Sequence, residues 1–270
     1  MTPHIGILGL GFMGKQHYLT YARIPNAHVA AICDIDPRKR VGDWSGIGGN
    51  LGEAAEAVDL SGIAVYADAD ALFADPDIAV VDITLPTYLH AAYAIRAMDA
   101  GKHVICEKPM ARTPEEAAAM LAAAERTGRR LFIAQCLRFW PPYVLLRDLL
   151  HAQRYGRVRS AVFARRSCLP TWSWDNWLLD PAKSGGCVLD LHIHDADFIL
   201  HCFGRPDAVV STGLTAAHGR NDHCVTVYEY ADEALIVAEG GWGYPPTYPF
   251  SMTFTVDMEQ ATVRLDETGQ

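Results

Sequence analysis

The chain has 270 residues, 50% hydrophobic and 20% charged, with 23 Lys and Arg against 32 Asp and Glu for a formal charge of −9. Apolar content this high excludes a mainly disordered chain, and the acidic balance argues against a general nucleic-acid binder, which shows a basic face. The longest apolar stretches, such as Ile78–Leu85, are broken by Asp82 and fall short of the roughly 20 residues of a spanning helix, so no membrane role is expected.

The first half alternates strand and helix signals. His4–Leu8 is an apolar run leading into Gly9-Leu10-Gly11-Phe12-Met13-Gly14, and residues 15–23 have helical spacing. Val29–Cys33, Ala64–Tyr66, Ile78–Thr84, His103–Cys106 and Leu131–Ala134 read as strands. Ala69–Phe73 and Leu89–Asp99 read as helices, and Thr113-Pro114-Glu115-Glu116 opens another that stops at Gly128. Residues 45–62, rich in Gly and Ala, carry no assignment. Repeated β–α units of this length predict a parallel sheet with helices on both faces.

The pattern changes near residue 135. After a helix over Tyr143–Gln153 come alternating runs at Arg157–Ser167, Ala208–Leu214, His223–Tyr230, Ala234–Gly240, Ser251–Met258 and Ala261–Leu265, with one helix at Gly186–Cys202. Short turns between strands predict a mostly antiparallel sheet. The fold class is therefore α/β: a Rossmann-type doubly wound parallel sheet over 1–134, then an α+β domain with an open, mostly antiparallel sheet over 135–270. The opening residues show no basic stretch before an apolar run, and the seven cysteines are dispersed with no C-x-x-C pair. A cytoplasmic protein with reduced thiols is expected.

Gly9-x-Gly11-x-x-Gly14 follows a strand and opens a helix, where a dinucleotide pyrophosphate can approach the backbone of Gly11, Phe12 and Met13. Asp34 ends the second strand 20 residues after Gly14, the spacing of an acid that bonds ribose hydroxyls. Its charge favours NAD. Arg38, Lys39 and Arg40 follow closely and would suit the 2′-phosphate of NADP, or are simply a solvated charge run.

At Gly101-Lys102-His103-Val104-Ile105-Cys106-Glu107-Lys108-Pro109 the chain resembles the glucose–fructose oxidoreductase / inositol dehydrogenase (Gfo/Idh/MocA) family, whose hallmark is a Glu-Lys-Pro triplet after such a strand. Thr84-Leu85-Pro86 with His90 is similar to that family's Thr-Pro…His segment with one residue inserted. Arg138-Phe139 and the following prolines resemble its domain-crossing segment. The run from Gly185-Gly186 through Asp190, His194 and Asp197 resembles its Gly-Gly…Asp-x-x-x-His-x-x-Asp helix.

The residues themselves are compatible with this. Asp190 and His194, four apart, share a face of a helix, Asp197 and His201 continue it, and Leu189, Ile193, Ala196 and Leu200 form an apolar stripe for the core. Taken alone, such an acid–imidazole stripe is more often a solvated face than an acid/base pair. His192-x-His194 is a poor chelate, since residues two apart on a helix diverge, and no metal is expected.

The resemblance implies an NAD(P)-dependent dehydrogenase of a sugar, polyol or related hydroxy compound, with Lys108, Asp190 and His194 catalytic. Thr84, Pro86, His90, Glu107 and Lys108 join Gly9, Gly11, Phe12, Met13, Gly14 and Asp34 around the coenzyme. Alternatives are a tightly held NAD recycled within glycoside cleavage, and a nucleotide-sensing module without turnover. Arg138, Trp174 and Trp177 are candidate substrate contacts, the tryptophans clustering with Trp172 beside Asp175 and Asn176. Arg165 and Arg166 are expected to meet an acidic substrate group or face solvent. A homodimer or homotetramer through the open C-terminal sheet is expected, supported by Phe163, Tyr228, Tyr230 and Trp242. The family's closing strand and helix would follow the point where the chain stops, after Thr262–Leu265.

Overall fold

The computed structural model describes residues 2–49, 57–215, 221–231 and 234–266. Part of the unassigned stretch 45–62 (residues 50–56) and the last residues, 267–270, lie outside these. The chain divides into two units, Met1–Ala134 with Trp172–Trp177, and Gln135–Thr171 with Leu178–Gln270. The tryptophan segment therefore clusters with the first unit, although it lies within 135–270.

In the first unit, β1 (His4–Leu8), β2 (His28–Cys33), β3 (Ala64–Tyr66), β4 (Val80–Ile83), β5 (His103–Cys106) and β6 (Leu131–Ile133) form one parallel sheet in the order 3-2-1-4-5-6. That order reverses direction beside β1, where doubly wound sheets place their ligands. Helices α1 (Phe12–Tyr21), α2 (Pro37–Arg40), α3 (Ala69–Ala74), α4 (His90–Asp99) and α5 (Pro114–Thr127) connect the strands. Local chemistry sets α5: the Thr113 hydroxyl accepts from Glu116 N, Pro114 opens the first turn, and Gly128 ends the helix at φ 64°. The central strands are covered on both sides. Val81, Ile83 and Val104 pack with Ala94, Met98 and Met120, while Ile5, Ile7 and Ile32 pack with Leu10 and Trp44.

In the second unit, α6 (Pro141–His151) precedes β7 (Val158–Cys168), α7 (Pro181–Ser184), a π-helical turn at Val188–His192 and α8 (Ile193–Phe203). Strands β8 (Ala208–Thr215), β9 (Asn221–Glu229), β10 (Leu235–Tyr244), β11 (Ser251–Met258) and β12 (Thr262–Leu265) complete a six-stranded sheet ordered 12-11-7-10-9-8. Only β10 and β7 run parallel. The core centres on Phe163, Phe198, Phe254 and Tyr143, with rings 4.9–6.0 Å apart.

Three expectations need correction here. First, the helix expected over Gly186–Cys202 is a π turn followed by α8. A π turn holds more residues than an α turn, so the 3.6-residue stripe drawn through Leu189, Ile193, Ala196 and Leu200 does not run through it. Leu200 is exposed, and the buried face carries Leu191, His192, Asp195, Phe198 and Ile199. Second, Arg165 is neither solvated nor free for a substrate. It is buried against fully buried Asp195, with Nε to Oδ2 at 2.9 Å and a second nitrogen to Oδ1 at 3.2 Å, and it also donates to the Tyr143 hydroxyl. Arg166 is bidentate to Glu239 at 2.9 and 2.6 Å. Third, Phe163, Tyr228 and Trp242 face the core, and the open side of the sheet shows Val162 and Leu235 instead. Period-2 alternation separates the two faces of a strand without saying which is inner.

A buried guanidinium left without its carboxylate is strongly destabilising. Asp195→Ala is expected to lower unfolding free energy by about 3–5 kcal/mol, read from the urea midpoint; a loss below about 1 kcal/mol, the scale of an exposed pair, would refute this role.

Candidate functional site

The glycine turn is built by close contacts. Gly9 adopts φ +96°, a left-handed value that costs glycine nothing, and its N–H donates to Cys33 O at 2.8 Å. A Cβ on Gly14 would stand 2.0 Å from Gly9 O, so helix α1 meets the turn only because that position lacks a side chain. The Thr84 hydroxyl donates to Gly9 O at 2.5 Å and ties the turn to the end of β4. At Gly11, in contrast, a Cβ would meet nothing within 4 Å. Gly11 caps α1 with no side chain of its own to bond the first N–H groups, which suits a phosphate anion.

Asp34 lies buried at the end of β2. Its Oδ2 accepts from Leu10 N at 2.6 Å and its Oδ1 from Asp36 N at 2.8 Å. The carboxylate thus braces the glycine turn while keeping lone pairs for further donors. The basic run beside it is already engaged: Arg40 donates to Asp34 O and Ile35 O, Arg38 bonds Asp43, and Lys39 Nζ stands 3.7 Å from Asp34 Oδ2. The open turn, the uncapped helix and the braced acid together fit a dinucleotide.

Phe12 meets Trp172 edge to face at 5.1 Å, and a Cβ on Gly49 would overlap the Phe12 ring. Met13 is half-buried in the first turn of α1. Pro86 precedes a 3₁₀ turn at Thr87–Leu89. Trp174 is exposed and Trp177 half-buried, flanking Asp175 and Asn176, which hold left-handed φ values of 50° and 48°.

Around Lys108 the chain is fastened on both sides. Glu107 N donates to Ile83 O at 2.9 Å, and the buried Glu107 carboxylate accepts from Lys108 N at 3.0 Å and from His17 Nε2 at 2.9 Å. On the other side His90, buried at 1% exposure, has Nδ1 2.8 Å from Pro109 O and Nε2 2.8 Å from Leu85 O. Burial holds the His90 pKa below its ordinary value. The neutral ring carries one N–H and donates to one of these carbonyls. Glu107 thus links His17 to the Lys108 N–H, and His90 stands between the carbonyls of Leu85 and Pro109.

His17, Asp82 and Tyr21 complete a network that sequence reasoning missed. His17 Nδ1 lies 2.8 Å from Asp82 Oδ2, which also accepts from the Tyr21 hydroxyl at 2.8 Å. Burial would lower the His17 pKa, but the bonds to Asp82 and Glu107 outweigh it and push it up to about 10. Burial likewise opposes ionisation of Glu107, yet the His17 bond holds its pKa below the ordinary value. The signal was present: Asp82 interrupts an otherwise apolar central strand, and a carboxylate there needs a partner.

In the second unit Asp190 belongs to the π turn and His194 to the first turn of α8, so they do not share one continuous α-helical face. Both are half-buried, and His194 Nδ1 stands 4.0 Å from Cys136 Sγ. His192 points elsewhere, its Nε2 3.0 Å from the Thr226 hydroxyl. The Arg138 fork is taken by Asp197 at 2.8 and 2.6 Å. Among the described residues no group of three His, Cys, Asp or Glu side chains is placed to hold a metal ion, and no helix is long and apolar enough to cross a membrane.

Residues 4–135 match the family model described as "Oxidoreductase family, NAD-binding Rossmann fold", and residues 143–264 match the "GFO/IDH/MocA C-terminal domain". The chain belongs to the Gfo/Idh/MocA oxidoreductase family. Among its curated relatives is levoglucosan dehydrogenase of Pseudarthrobacter phenanthrenivorans, 35% identical over 221 residues that make up 78% of this chain and 54% of the relative. Another is D-xylose 1-dehydrogenase (NADP(+)) 2 of Haloferax volcanii, 29% identical over 93% of this chain and 73% of the relative. A solved levoglucosan dehydrogenase in complex with NADH and levoglucosan superposes with a TM-score of 0.82 at 26% identity, covering 98% of this chain and 74% of that one. The chain spans about half the length of the first curated relatives it matches. Within this Gfo/Idh/MocA chain, the Glu107-Lys108-Pro109 turn and the glycine turn belong to the family-matched NAD-binding fold.

Proposed function

We propose that this chain is an NAD-dependent dehydrogenase acting on a CH–OH group of a sugar, polyol or related hydroxy compound. The observation that carries the reading is the placement of Lys108 on a turn fastened through both neighbours, Glu107 to His17 and Pro109 to His90, in the unit that holds the open glycine turn. The relatives named for levoglucosan and D-xylose support a carbohydrate-like substrate.

Nicotinamide, when bound, supplies the hydride acceptor. The chain's residues handle the proton and the geometry. Lys108 donates a hydrogen bond to the substrate oxygen, favouring the alkoxide character that develops there. His194 takes the hydroxyl proton, and Asp190 supports the imidazolium that results. Asp34 accepts from ribose hydroxyls and opposes a 2′-phosphate by like charge, while Arg38 and Arg40 are occupied by Asp43 and by backbone carbonyls. This supports NAD over NADP.

Turnover is tested by offering NAD and NADP with a panel of inositols, aldoses, anhydrosugars and sugar acids, following reduced nicotinamide by absorbance. Lys108→Ala and His194→Ala are each expected to lower kcat by about 100-fold or more while saturable NADH binding is retained. Parental rates in both variants would overturn the assignment.

We further propose that copies associate through the open side of the second sheet, where Val162 and Leu235 are exposed. Light scattering is expected to give a multiple of the 29.6 kDa chain mass; a species of single-chain mass across the concentration range would contradict it.

A further inference from the structure

We propose that His17 is a positioning residue for Lys108, acting through Glu107 to fix the turn from which the ammonium projects. The proposal rests on the reading that Lys108 serves the substrate oxygen. Each ring nitrogen of His17 faces a carboxylate oxygen, Nδ1 to Asp82 at 2.8 Å and Nε2 to Glu107 at 2.9 Å. An ionised carboxylate only accepts, so both bonds form only when both ring nitrogens carry hydrogen. His17 is therefore an imidazolium clamped between two acids.

The clamp reaches Lys108 by a continuous path. His17 holds Glu107 Oε1, and Glu107 Oε2 accepts the Lys108 backbone N–H at 3.0 Å. At the far end the Tyr21 hydroxyl bonds the Asp82 oxygen shared with His17. The groups facing His17 are Tyr21 from its own helix, Asp82 at β4, and Glu107 after β5, with Lys108 beside Glu107 and the buried Cys106 thiol raised by burial and both carboxylates. Two acids and one imidazolium leave a single net negative charge next to the Lys108 ammonium. His17 also lies on α1, three residues after Gly14, so the helix whose N-terminus faces the anion site also steadies the Lys108 turn.

Removing the cation leaves Asp82 and Glu107, both buried, without their shared partner. Two buried carboxylates then face each other without the imidazolium between them, a costly arrangement that pushes them apart. Glu107 then loses its fixed orientation, and the Lys108 N–H loses a fixed acceptor. A Gln at position 17 offers donors to one acid and a carbonyl to the other, whereas the ammonium of a Lys can bridge both.

The test compares His17→Gln and His17→Lys with the parental protein. In His17→Gln, exchange of the Lys108 amide hydrogen is expected to rise by about tenfold. In the same variant kcat on the best panel substrate should fall by about tenfold with the NADH Kd unchanged within about twofold. The variant's kcat should also gain a rising limb that the parental profile lacks, because Glu107 loses the His17 bond that holds its pKa below the ordinary value. His17→Lys should restore most of the loss. In the parental protein the clamp also marks stability. The folded pKa lies above the unfolded 6.5, so its contribution is full below pH 6.5 and disappears as pH rises through about 10. The melting temperature should fall across that window, and this slope should be missing in His17→Gln.

The proposal is overturned if His17→Gln keeps the parental kcat and pH profile while Lys108→Ala is inactive. It is equally overturned if the parental melting temperature shows no such slope. Should Lys108→Ala itself be fully active, the catalytic reading of Lys108 fails instead. The positioning claim is then decided by amide exchange alone: unchanged Lys108 exchange in His17→Gln refutes it and a tenfold rise upholds it.

Discussion

A backbone oxygen sits 2.0 Å from the place where a side chain at position 14 would begin, and much of the first unit is arranged around that contact. The strand–turn–helix passage from β1 to α1 closes only with glycine there. Its shape is then held by Thr84 on Gly9 O and by Asp34 on Leu10 N, residues that directly follow β4 and β2. Asp34 and Thr84, read from the sequence as coenzyme contacts, are thus first of all the pins of the turn. The carboxylate that braces the turn is the same group proposed above to accept from ribose hydroxyls.

Each unit also carries a buried or half-buried charge cluster that organises its neighbours. In the first, the imidazolium of His17 bridges Asp82 and Glu107. In the second, Arg165 meets Asp195 beneath Tyr143. Buried pairs of this kind add little net stability compared with apolar packing, but breaking one leaves an uncompensated charge. Their effect is to fix orientation: Asp195 determines which face of α8 turns inward, and Glu107 determines how the Lys108 turn begins.

The sequence made the local patterns legible. The strand–helix alternation and the Thr113 cap rest on contacts close along the chain, the glycine turn is marked by its own residue spacing, and all appear in the structure. So do the parallel first sheet and the mostly antiparallel second. What escaped was set by distant partners. His17 meets residues 65 and 90 positions away, and Arg165 meets one 30 away. The helical stripe through Leu189 and Leu200 failed because a π turn interrupts the period and because a buried guanidinium draws Asp195 to the core. Phe163, Tyr228 and Trp242 were placed on the wrong side because alternation alone does not say which face of a strand is covered. Arg138 pairs with Asp197, a partner 59 positions away that the motif around it did not announce.

The Gly9–Gly14 turn and Asp34 are proposed to form a working dinucleotide site. The most direct measurement is a titration of the parental protein and Gly14→Ala with NADH, followed by the fluorescence of the bound nicotinamide. Saturable binding in the parental protein, abolished in Gly14→Ala, is the expected result. Absence of binding in the parental protein, or equal affinity in the variant, would contradict it.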